Sequence, residues 1–145
     1  MSYKNIQKYT VAQHNTSKTK QLVMLYEGLL KLIMNTKLSI EQKDFTGRYN
    51  NLERATTIIL GLQASLDFTN GGDIAKILYD LYQSLYLRLM SVNINNDVQI
   101  CIDIIDELSM MKEAWSEVDQ IASSNSMPIM SNPNEIPKSG MEVSA

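Results

Sequence analysis

The sequence has little with which to do covalent chemistry. Its 145 residues include one histidine, His14, and one cysteine, Cys101. A single thiol excludes an intrachain disulfide and fits a reducing cytosol. One histidine and one cysteine cannot supply any of the usual zinc ligand sets. No Glu-x-x-His pair of the carboxylate-bridged metal bundles occurs. Neither the GxGxxG nor the GxxxxGK[ST] phosphate-binding pattern is present. Proline is also scarce: Pro128, Pro133 and Pro137 all lie in the last twenty residues, so the chain before them is free to be helical throughout. The net charge of −3 and a pI of about 5.1 lack the basic excess of a nucleic-acid-binding domain. No uninterrupted apolar run approaches the roughly 20 residues of a membrane span. The opening residues MSYKNIQKYTVAQ hold no apolar h-region of a signal peptide. Period-two alternation is missing as well, so no strand is predicted.

What is present is helical periodicity. Tyr3 to about Ala12 forms a short, weakly amphipathic segment carrying Ile6, Tyr9 and Val11. A polar break follows, with Thr16 or Ser17 as a plausible N-cap. From Lys18 to about Glu41, Leu22, Leu25, Tyr26, Leu29, Ile33 and Ile40 recur at helical spacing. Asp44 is placed to cap the next helix, whose stripe is Tyr49, Leu52, Ala55, Ile59, Leu62 and Leu66. Residues 67–73 read as a turn, with Gly71-Gly72 as a helix stop. A fourth segment, Asp73 to Val92, puts Ile74, Leu78, Leu81, Leu85 and Leu89 on one stripe. After Asn93–Asp97, a fifth helix runs to about Ile121 on Val98, Ile102, Ile105, Leu108 and Trp115. The remainder is rich in Ser, Asn and Pro and reads as a disordered tail.

These elements predict an all-α protein. Short connections imply antiparallel neighbours, hence an antiparallel four-helix bundle with a short additional N-terminal helix. The domain is 1–121 and the flexible polar tail is 122–145. No catalytic residue, metal site or cofactor is expected. His14 reads as an exposed linker residue and Cys101, between Ile100 and Ile102, as a small buried hydrophobe.

The reading that remains is a protein that holds another polypeptide. The fourth segment is apolar over most of its circumference, which calls for cover on two sides. Tyr79, Tyr82 and Tyr86 cluster beside its core stripe, with Leu87 and Met90 further round. Tyrosine offers rigid apolar area with a polar tip, so this flank is expected to form a partly exposed groove. Nine methionines suit a surface that must fit an irregular partner, or fill gaps in a core. Charge is uneven too. The first twenty residues hold four lysines and no acid, whereas residues 97–120 hold seven acids against Lys112. The acidic stretch reads as a solvated helix face. It also offers the basic N-terminal segment a weak, displaceable docking place, since exposed ion pairs contribute about 0–1 kcal/mol each.

Several phrases, in order, resemble the flagellar secretion chaperones of the FliS family. Asn15-Thr16-Ser17 leading into Leu25-Tyr26-Glu27-Gly28 is similar to that family's opening helix. Arg54-Ala55, Ile58-Ile59, Leu62 and Leu66-Asp67, followed by Gly71-Gly72, resemble its next helix and turn. Leu78-Tyr79, Leu81-Tyr82, Leu89 and Asn93 resemble the helix after that, and Ala114-Trp115 a motif near the C-terminal helix end. Lys18 departs from the pattern, standing where the family usually has proline. The resemblance spans residues 3 to 121. It implies a cytoplasmic export chaperone that binds the disordered C-terminal region of flagellin, prevents premature polymerisation, and supports delivery to the flagellar type III export apparatus. Export-apparatus components would be further partners; nucleic acid and membrane insertion are not expected. Flank position and motif match together nominate Tyr9, Leu25, Tyr26, Ile58, Leu62, Tyr79, Tyr82 and Tyr86 as partner-binding residues. The N-terminal segment, through Ile6 and Tyr9, is expected to cover a groove until flagellin displaces it. The alternative is a generic helical adaptor for a different protein partner.

Overall fold

The computed structural model describes residues 18–131, with side chains from 18 to 121. The N-terminal segment, with Tyr9 and the Thr16 or Ser17 cap, lies outside the described residues. The described chain forms four α-helices and no strand: α1 (Lys18–Glu41), α2 (Phe45–Ala64), α3 (Phe68–Asn95) and α4 (Val98–Ser131). It divides into two compact units. One is Met24–Lys112; the other joins the chain's two ends, and its described residues are 18–23 and 113–131.

Each connection within Met24–Lys112 is two or three residues long and ends on an aspartate. Asp44 accepts from the Gly47 N–H at 3.0 Å. Asp67 accepts from Thr69 and Asn70 N–H at 3.0 and 3.1 Å. Asp97 accepts from Gln99 and Ile100 N–H at 2.9 and 3.3 Å. A short carboxylate at the N-cap satisfies amides that have no intrahelical partner and suits the positive end of the helix dipole. Lys43 (φ 58°) and Asn96 (φ 55°), the residues just before two of these caps, adopt left-handed conformations that reverse the chain in one step.

The core of this unit is built from a repeated spacing. Buried residues fall at Tyr26, Leu29, Ile33, Thr36 and Ile40 in α1, and at Leu52, Ala55, Ile59 and Leu62 in α2. They continue at Ala75, Tyr82, Leu85, Leu89 and Val92 in α3, and at Cys101, Ile104 and Leu108 in α4. With half-buried Leu78 included, every helix alternates steps of three and four. That is the 3.5-residue period that keeps one apolar seam facing a packed neighbour along its length. Thr36 fits the seam because its hydroxyl donates to the Leu32 carbonyl at 2.8 Å.

Five expectations are corrected. The α3 stripe is turned by one residue in its first half: Ala75 and Tyr82 are buried, whereas Ile74 is 65% exposed. The α4 stripe shifts likewise, onto Cys101 and Ile104, with Ile102 and Ile105 only half-buried. Reading the largest aliphatics as core misses that small Ala75 occupies the seam while longer neighbours sit at its edge; Cys101 is buried, as expected of a small hydrophobe between two isoleucines. The most enclosed helix is α1, with eight buried residues against five for α3. Finally, residues 67–73 are not an open turn. Asp67 caps a helical turn, and the break comes at Gly72 (φ 52°, ψ −128°), after which the helix resumes. That backbone is open to glycine and strained for other residues. Helix α4 also continues past Ile121 to Ser131, with Pro128 in its last turn.

Candidate functional site

Helices α2 and α3 pack on one another and are tied along their length. Gln63 Nε2 donates to the Tyr79 carbonyl at 3.2 Å and to Gln83 Oε1 at 3.0 Å. At the other end, the Arg48 guanidinium lies 5.4 Å from the Phe45 ring centroid and donates to Asn96 Oδ1 at 2.6 Å. Between these ties lies a cleft of about 220 Å³. Tyr49, Glu53 and Thr56 line it from α2 at i, i+4 and i+7; Tyr86, Met90 and Asn93 line it from α3 at the same spacing. Its floor is Leu52 and Leu89, both core residues.

The nominated contact residues separate into classes. Tyr26 and Tyr82 are fully buried and bonded hydroxyl to hydroxyl at 2.7 Å, joining α1 to α3. Burial pushes the Tyr82 hydroxyl above the usual phenol range, and its bond to Tyr26 offsets part of that rise. Tyr82 therefore belongs to the core seam, not to an exposed flank, and Leu62 is buried as well. Ile58 and Tyr86 are half-buried. Leu25 and Tyr79 are each 42% exposed, and Tyr9 is outside the described residues. The groove thus gathers Tyr86 from the nominated set, but also Tyr49, read from the sequence as core, and Glu53, not singled out there. The legible signal was two parallel i, i+4, i+7 rows that each begin with a tyrosine.

Beyond the cleft, α3 keeps several open apolar side chains. Ile74, Ile77, Leu87 and Ile94 are exposed, and the Phe68 ring lies 5.9 Å from that of Tyr79 across the Gly72 break. The aspartates and glutamates of α4 are partly committed: Asp97 to its cap, Asp103 to Gln99, Glu107 to Arg88 and Asp119 to Thr19. Asp106, Glu113 and Glu117 face solvent.

No three His, Cys, Asp or Glu side chains among the described residues group as metal ligands. Cys101 is fully buried. Its thiol is pushed up to about 11, first by burial and then by Asp97, with Lys37 acting the other way. Such a thiol stays protonated at neutral pH and is a poor nucleophile. No described helix is long and apolar enough to cross a membrane.

Comparison with known proteins agrees with this picture. A family model described as "Flagellar protein FliS" matches residues 2–122. A flagellar secretion chaperone FliS of Salmonella typhimurium is 36% identical over 101 residues, covering 69% of this chain and 75% of the relative. One from Campylobacter jejuni is 32% identical over 102 residues (70% and 80%). One from Bacillus subtilis is 28% identical over 116 residues (77% and 86%). These relatives bear the names of chaperones, not of enzymes.

Proposed function

Since the chain belongs to the FliS family, we propose that it is an export chaperone for flagellin. In this reading it binds the disordered C-terminal region of flagellin in the cytoplasm, prevents its premature polymerisation, and supports its delivery to the flagellar type III export apparatus. The family match over residues 2–122 carries the proposal. Exposed apolar side chains on α3 and the α2–α3 cleft support it.

The flagellin segment folds as it docks, laying amphipathic helices on apolar grooves. Ordering that segment costs about 2–5 kcal/mol, so a broad apolar surface is required. We assign contact to Leu25, Ile58, Tyr79 and Tyr86, which are open or half-open in the free chain. Tyr9 joins them if the N-terminal segment yields its place to cargo. Tyr26, Leu62 and Tyr82 act beneath the surface, by holding the helices that carry these contacts. In this reading the described helices are taken as an antiparallel bundle.

The test is calorimetry with a peptide of about the last forty residues of flagellin, against a scrambled peptide. The expected result is binding of the native peptide alone, with the negative heat-capacity change of apolar burial. Equal binding of both peptides, or of neither, overturns the proposal.

A further inference from the structure

Asn93 lines the α2–α3 cleft, and its Oδ1 is buried without a hydrogen-bond partner. Such an atom has given up water for nothing and is uncommon in folded proteins. Two other side-chain atoms share that state, the Nε of Arg48 and of Arg88. Both belong to guanidinium groups anchored elsewhere, on Asn96 and on Glu107. Among the described residues nothing anchors the Asn93 carboxamide, and the torsion that turns it is soft.

The surroundings define what would suit it. The Thr56 hydroxyl is already committed, donating to the Glu53 carbonyl at 3.0 Å. The free polar groups left in the lining are the Glu53 carboxylate, an acceptor, the Asn93 carboxamide, whose buried Oδ1 lacks a donor, and the two tyrosine hydroxyls. The walls are otherwise apolar, from Leu52, Leu89 and Met90. At about 220 Å³ the cleft is smaller than the roughly 300 Å³ at which small-molecule pockets begin. It has the size for one side chain.

Resting on the flagellin reading, we infer that the cleft receives a single side chain of the cargo segment, one with an apolar stem and an N–H donor at its tip. Asn93 supplies the acceptor and Glu53 the negative charge at the rim. Lysine, arginine and glutamine share that chemistry: the stem lies along Leu52, Leu89 and Met90 while the tip reaches the polar groups. Asn93 is then a specificity-determining residue, kept at a cost to the free chain.

This predicts opposite effects on stability and on binding. Asn93→Leu removes an unsatisfied acceptor and is expected to raise Tm by about 4 °C. The same change is expected to weaken the flagellin C-terminal peptide about tenfold. Asn93→Asp keeps an acceptor in place and is expected to retain binding. An alanine scan of the peptide against the wild-type chain and Asn93→Leu completes the test. One donor-tipped position is expected to cost about tenfold with the wild type and under about twofold with the variant. Equal affinity of wild type and Asn93→Leu, or no peptide position that couples to it, overturns the inference while leaving the flagellin reading intact. Failure of the wild-type chain to bind the peptide overturns both. If Asn93→Leu does not fold, Asn93→Ala is put through the same scan and judged by the same outcomes.

Discussion

At the scale of single residues, the buried Tyr26–Tyr82 pair has the clearest consequences. Tyr82 is fully enclosed, and its hydroxyl has a partner in α1. Tyr82→Phe loses one hydrogen bond, an expected cost of about 1 kcal/mol in urea unfolding. Tyr82→Ala opens a large cavity and is expected to cost about 3–5 kcal/mol. That loss would show as lost helicity by circular dichroism, not as weakened binding by an intact fold. Cys101 makes a second prediction. Its folded-state pKa, about 11, lies above that of an unfolded thiol. The folded chain therefore holds the proton over a range in which the unfolded chain releases it. The stability this represents is fully present below about pH 8.5–9 and is lost as pH rises toward 11. Cys101→Ala is expected to flatten that part of the stability–pH curve. At pH 8 the native thiol is expected to resist a disulfide reagent that modifies the unfolded chain at once.

At the scale of elements, the connections reveal local logic. A left-handed residue followed by an aspartate cap reverses the chain from α1 to α2 and from α3 to α4. Lys43 bears a Cβ in a conformation that costs L-residues about 1 kcal/mol or more. Lys43→Gly relieves that strain but adds freedom to the unfolded chain, so a net stabilisation of about 0.5 kcal/mol is expected. Asp44→Ala is expected to cost about 1 kcal/mol, because the Gly47 amide loses its acceptor. Both are read from denaturant midpoints. Gly47 itself sits where a Cβ would meet the Asp44 carboxylate, so cap and glycine are matched. The Asp44 cap was legible because a cap is decided by residues three positions apart, whereas Asp67 was read as part of a turn. The phase of the α3 stripe was not. Leu85 and Leu89 were read correctly, but Ala75 and Tyr82 enter the seam through what packs on them, and Tyr82 through a hydroxyl partner 56 positions away.

At the scale of the whole molecule, the chain is acidic, helical in every described element, and carries several exposed apolar side chains on α3. Cargo that binds the folded chain and not the unfolded one stabilises it by mass action. At a hundredfold excess over Kd that amounts to about 2.7 kcal/mol. The flagellin C-terminal peptide is therefore expected to raise Tm by several degrees in differential scanning calorimetry, rising with peptide concentration, while the scrambled peptide leaves it unchanged. Family membership narrows the partner in a way that an open apolar face alone does not, because such a face suits many partners.

The sequence by itself determined the all-helical class, the positions of three helix starts, the seam residues of α2, and, through its ordered phrases, the family. All of these rest on spacings of a few residues or on motifs in line, where local sterics and hydrogen bonding decide the outcome. Only the tertiary structure decided that Tyr82 is core while Tyr49 faces a cleft, that α1 is the most enclosed helix, and that the Asn93 oxygen is buried without a partner. Those outcomes depend on which surfaces of distant segments meet. Hydrophobicity alone is not directional, so it could order residues by their preference for burial but could not say which of them a neighbouring helix would reach.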